Sequence, residues 1–233
     1  VAERPILFSG PMVRAILAGR KTQTRRVPVV TSCGVRLPAL VGADDRPAPA
    51  RCPYGSVGDL LWVRETWQQF FDDEMPTGRP RGPRGTLGSP ATPSRTSSVF
   101  YRADGEDIPQ DTFGHPRWMS SIHMPRWASR LTLEVTGVRV ERLQDITEAD
   151  AEAEGLSKLT KDGGRVWKYG IPDSDGLPGN DDDGWPWIDW QKDPRVAFRQ
   201  LWDSINADRG AGWDAHPWVW VIEFASVSEV VRG

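Results

Sequence analysis

Lys21 and Thr24 place an amine three residues before a hydroxyl within Gly19-Arg20-Lys21-Thr22-Gln23-Thr24-Arg25-Arg26. A threonine hydroxyl attacks a carbonyl only when a base takes its proton. Lysine can be that base if burial or nearby cations lower its pKa, and Arg20, Arg25 and Arg26 are such cations. Ser-Lys and related pairs carry out acyl transfer with no histidine. The same spacing also suits a basic surface turn with Thr24 as an ordinary strand residue, because both residue types are common.

The elements around this octapeptide set where the pair would lie. Residues 12–18 read as a short amphipathic helix: Pro11 suits a first helical position, Val13, Ile16 and Leu17 share a face, and Gly19 suits a left-handed stop. A strand starting after that turn would hold Lys21 and Thr24 near its mouth, where chemistry can meet solvent.

Further along, short strands alternate with irregular stretches. Strand candidates fall at 4–8, 58–65, 99–103, 131–140 and 218–224. The clearest is 131–140, whose alternation puts Leu131, Leu133 and Val135 on one face and whose Gly137 marks a bulge. Residues 147–155 read as a short acidic helix capped by Thr147 and ended by Gly155. Val196, Phe198, Leu201, Trp202 and Ile205 mark a second amphipathic helix. Segments 28–53, 72–98 and 161–193, dense in Pro, Gly, Ser or Asp, read as insertions. Few helices and many short strands suggest mixed α+β, a small β-barrel with flanking helices, built as one domain over residues 1–233.

Composition narrows the partners. A formal net charge of −3 over 233 residues argues against a protein held by the general phosphate attraction of long nucleic acid, while leaving room for a local basic patch. No apolar run reaches membrane-spanning length and no basic segment precedes a hydrophobic signal core, so no membrane partner and a cytoplasmic address are expected. Cys33 and Cys52 match no zinc spacing and read as free thiols, and neither a metal nor another cofactor is expected. Twelve tryptophans fall in clusters, such as Trp185, Trp187 and Trp190. They read as anchors for irregular segments, or as faces on which a base could stack.

The octapeptide resembles the signature of the ASCH domain family, which has a PUA-like β-barrel fold. The usual form is Gly-x-Lys-x-x-Glu-x-Arg, and this chain keeps Gly19, Lys21 and Arg26 but has Thr24 at the glutamate position. Threonine there is similar to the small bacterial N4-acetylcytidine amidohydrolases, which use a Lys, Thr and Glu set. Gly58-Asp59-Leu60-Leu61-Trp62-Val63 resembles a family strand, 143–154 the helix that carries the third residue, and 219–224 the closing strand.

The resemblance implies catalysis by Lys21, Thr24 and Glu154, with no metal or cofactor, on a small nucleoside-type substrate. Arg26 would be a ligand contact or a structural ion pair, and Arg64, Glu65, His123 and Arg126 are further candidates for substrate binding. Residues 121–130 and the Trp-rich end resemble an expanded form of the family found in phage and prophage proteins. The alternative expectation is an RNA-binding PUA-like module, with ribonuclease activity a third.

Overall fold

The computed structural model describes residues 1–28, 52–71, 97–105, 118–179 and 183–227. Strand β1 (Glu3–Leu7) leads into helix α1 (Gly10–Leu17), which has Pro11 in its first turn. Its buried stripe is Met12, Val13, Ala15 and Ile16. Gly19, with φ of 70°, supplies the left-handed reversal that other residues adopt only at a cost, and β2 (Gln23–Arg26) follows.

Next come β3 (Leu60–Arg64) and a hairpin of β4 (Trp67–Phe71) with β5 (Ser97–Tyr101). The long strand β6 (Thr132–Arg142) precedes α2 (Glu148–Ala153), and a small hairpin of β7 (Ser157–Leu159) and β8 (Lys168–Gly170) comes after. Helix α3 (Pro194–Asn206) and strand β9 (Trp218–Val227) complete the described chain.

One five-stranded sheet, in the order β1-β3-β6-β9-β2, organises these elements. β1 runs parallel to β3, and the other neighbours are antiparallel. The β6–β9 ladder slips between Val135 and Gly137, the bulge expected at that glycine. Leu131, Leu133 and Val135 are all buried, as their alternation predicts. On β9, Val221 and Ile222 point to opposite faces and both are buried, so this strand is covered on both sides.

The fold is mixed α+β, but the expected closed barrel is replaced by an open sheet. The two outer strands, β1 and β2, share no ladder. Physical reasons are visible in both. Pro5 removes a donor from β1, and β2 has only four residues with which to pair. A side chain spans the gap instead, Arg26 Nη2 donating to Leu7 O at 2.6 Å.

Segment 161–193, expected as a loop-like insertion, contains β8 and a tryptophan plug. Trp190 is buried against Gly170, where a Cβ would come within about 2.5 Å of the indole, so only glycine fits. Segments 28–53 and 72–98 lie for most of their length outside the described residues, as does Cys33. Cys52 is a free thiol. Among the described residues no helix is long and apolar enough to cross a membrane.

Candidate functional site

Two glycines bring Lys21 to Glu154. Gly19 turns the chain back so that Lys21 N donates to Ala15 O at 3.0 Å, and Thr22 N then donates to Ala153 O at 3.0 Å. Glu154 is the last residue of its turn, just beyond α2, and Gly155 follows with φ of 105°. A Cβ on Gly155 would approach those of Ala15 and Lys21 to 3.0 Å, so its absence lets the two segments meet. Thr147 holds the other end of α2, its hydroxyl accepting from Asp150 N at 3.1 Å.

Lys21 Nζ donates to Glu154 O at 2.7 Å and to Glu154 Oε2 at 2.9 Å. The other carboxylate oxygen accepts from Arg25 Nη1 at 3.0 Å. Arg25 also donates to Glu141, and Arg139 ties Glu141 to Asp150 and Glu223. Every carboxylate in this group therefore faces a cation, as burial of charge requires.

The expectation that Lys21 and Thr24 would meet solvent at a strand mouth is overturned. Both are only 4 % exposed, and Glu154 is 3 % exposed. The cause is the cover supplied by the turn after α2 and by Phe8, whose ring centre lies 5.6 Å from Lys21 Nζ and 5.2 Å from the Arg26 guanidinium. Burial lowers the Lys21 pKa below its ordinary value of 10.5, opposed by the Glu154 carboxylate and helped by Arg26 and Arg25. Burial also lowers the pKa of Arg26, with Tyr54 and Glu154 acting the other way.

Thr24 lies on β2 opposite Ile222, and Arg26 lies opposite Trp220, so these four share one face of the β2–β9 pair. Among the described residues the Lys21 ammonium donates only to Glu154, and neither of its two hydrogen bonds reaches Thr24. Among the described residues no hydrogen bond engages Arg26 Nε or Trp220 Nε1, although both atoms are buried. Two unsatisfied donors on one buried face can receive an acceptor atom.

The remaining candidates gather elsewhere. Arg64 stacks over Trp62 at 4.6 Å and donates to Ile122 O at 3.3 Å. Arg126 lies 6.0 Å from the same ring and bonds Glu3 and Thr132. His123 sits exposed in a short 3-10 turn. Glu65 is fully buried and receives both Arg130 Nε at 2.9 Å and Arg130 Nη2 at 3.0 Å. None of these contacts reaches Lys21, Thr24 or Glu154.

Sequence reasoning gave Arg25 only the role of a cation near Lys21 and gave Trp220 none in the site. Alternation along the last strand, which puts Trp220 on the face of Ile222, was the available signal for the second. Nothing local signals that Arg25 would bond Glu141. A cavity of about 180 Å³ lies between Ser9, Gly10, Thr66, Arg102, Ala103 and Asp183, and none of the Lys21, Thr24 and Glu154 set lines it. Among the described residues no group of three His, Cys, Asp or Glu side chains is placed to hold a metal. Compared with known proteins, the chain matches no family model, no curated sequence and no solved structure.

Proposed function

We propose that this chain is an ASCH-type amidohydrolase on a PUA-like scaffold, cleaving the acyl amide of N4-acylated cytosine nucleosides. The observation that carries the reading is the buried contact between Lys21 and Glu154, residues 133 positions apart, with Thr24 on the strand that follows Lys21. A lysine whose pKa is lowered by burial, hydrogen-bonded to a carboxylate, is a pair able to hold and move one proton.

In the proposed reaction, entry of substrate swings the Lys21 side chain towards Thr24. The amine, having passed its proton to Glu154, takes the proton from Thr24 Oγ1 as that oxygen bonds to the acyl carbon. Arg26 Nε and Trp220 Nε1 are the donors available to the carbonyl oxygen as negative charge builds on it. The C–N4 bond breaks, and the proton on Glu154 goes to the departing exocyclic nitrogen. Water then hydrolyses the threonyl ester, releasing a carboxylic acid and restoring the hydroxyl.

Incubation of the purified chain with N4-acetylcytidine, followed by the ultraviolet change to cytidine, tests the reading. Turnover abolished by Thr24→Ala is the expected result. Absence of turnover with acetyl, propionyl and benzoyl substrates, or full activity in Thr24→Ala, would sink it and favour the RNA-binding alternative.

A further inference from the structure

Lys21, Gln23 and Arg25, spaced by two along the chain, reach the same short helix and the turn that ends it. Gln23 Nε2 donates to Asp150 O at 2.7 Å, and the other two divide the Glu154 carboxylate between them. Oε2 faces Lys21 Nζ at 2.9 Å, while Oε1 faces Arg25 Nη1 at 3.0 Å. A carboxylate gripped by a cation at each oxygen keeps one orientation.

Arg25 is braced from three elements before it reaches Glu154, and its side chain is fully buried. Its Nε and Nη2 donate to Glu141 on β6, Nη2 lies 3.4 Å from Asp150 Oδ2 on α2, and the guanidinium sits 5.8 Å from the Phe198 ring on α3. A lysine in this place could supply the charge but not the rigid fork that spans Glu141 and Glu154. Arginine keeps its proton in proteins, so Arg25 cannot relay one. What it supplies is a fixed direction and a fixed charge.

Charged and titratable groups face the Lys21–Glu154 pair from every neighbouring element. β2 contributes Arg25 and Arg26, β6 contributes Arg139 and Glu141, α2 contributes Asp150, β9 contributes Glu223, and Tyr54 stands beside Arg26. Arg139 holds Glu141, Asp150 and Glu223 together on the outer side. Among the described residues the cations bonded to Glu154 itself are Lys21 and Arg25.

We propose that Arg25 is a positioning residue for this pair: its fork aims Glu154 Oε2 at the Lys21 ammonium, and its fixed charge opposes a second positive charge beside it. The direction of the Lys21 pKa agrees, since burial lowers it most and Arg25 acts the same way against the pull of Glu154. The consequence for turnover rests on the proposed function; the effect on the Lys21 proton does not.

Carbon-13 NMR of protein labelled at the lysine ε-carbons reads that proton directly, because the chain has only five lysines and the resonance missing from Lys21→Met is that of Lys21. Arg25→Met is expected to move the Lys21 midpoint to higher pH, since a nearby cation has gone. Arg25→Lys keeps the charge and is expected to leave the midpoint at its wild-type value. Turnover then separates the fork from the charge. Arg25→Lys lowers kcat for N4-acetylcytidine about a hundredfold, the loss expected of a misaimed group, and leaves KM unchanged because Arg25 acts through Glu154 rather than on substrate. Where Arg25→Met fails to fold, Arg25→Lys carries both readouts. An unmoved midpoint in folded Arg25→Met, a midpoint that rises in Arg25→Lys, or wild-type kcat in folded Arg25→Lys would overturn the inference. A wild-type chain without turnover sinks the proposed function alone, and the NMR midpoints still decide the role of Arg25.

Discussion

Two carboxylates, Glu154 and Glu65, are almost equally buried, yet their partners differ in one chemical respect. Glu65 is gripped by the fork of Arg130, which also bonds Asp104 and stacks on Tyr101 at 3.9 Å. Arginine does not lose its proton in proteins, and Arg130 is pushed higher still by these carboxylates against the cost of its burial. Burial in turn raises the Glu65 pKa, partly offset by Arg130. Glu154 instead gives one oxygen to Arg25 and the other to Lys21, whose pKa burial lowers. An ion pair with arginine fixes structure, whereas one with a desolvated lysine can also pass a proton.

Lys21→Met should therefore produce the largest change, reducing turnover of N4-acetylcytidine about a thousandfold, within the range of a lost general base. A Lys21→Met protein that is folded by circular dichroism and turns over N4-acetylcytidine at the wild-type rate would erase the distinction between the two pairs. Next in size, Arg130→Met leaves the buried Glu65 unpaired and should cost about 3 kcal/mol of stability in urea denaturation. Its kcat should stay near wild type. A large fall in kcat without loss of stability would assign Glu65 to the chemistry after all.

A pH series sharpens the comparison further. Activity should fall as pH rises through an inflection below 10.5, where the Lys21–Glu154 pair loses the one proton that it passes to the departing nitrogen, and Lys21→Met should lack that inflection. Because the unfolded chain holds this proton more tightly than the folded one, Lys21 makes stability rise with pH between its lowered folded pKa and 10.5. That contribution is lost as pH falls through the folded value. A stability profile unchanged by Lys21→Met would contradict this assignment. The smallest effect is expected for Thr147→Ala, about 1 kcal/mol of helix-cap stability. Frayed α2 should then loosen Glu154 and lower kcat less than Lys21→Met does.

Local punctuation was legible in the sequence. Gly19, Gly137, Gly155 and Thr147 each took the turn, bulge or cap that its own backbone chemistry favours. The pairing of Lys21 with Glu154 was not readable from spacing, and only the family resemblance suggested it. Glu65 and Arg130, 65 positions apart, carried no signal of their own. The hairpin at 157–170 was hidden because strands of three residues offer too little alternation to outweigh the Gly, Asp and Lys around them. Barrel closure was misjudged because it depends on whether two distant edges can pair, which Pro5 and a four-residue β2 prevent.

The clasp from Arg26 to Leu7 has a consequence for how a sealed interior is reached. Where a ladder would be undone only by breaking several cooperative bonds, this seam is held, among the described residues, by one hydrogen bond from a guanidinium, about 2 kcal/mol net. Parting there would uncover Phe8, whose ring lies against both Lys21 and Arg26. Access would then be governed by the breathing of a single latch, and hydrogen exchange in β1 and β2 would outpace that of β6 and β9.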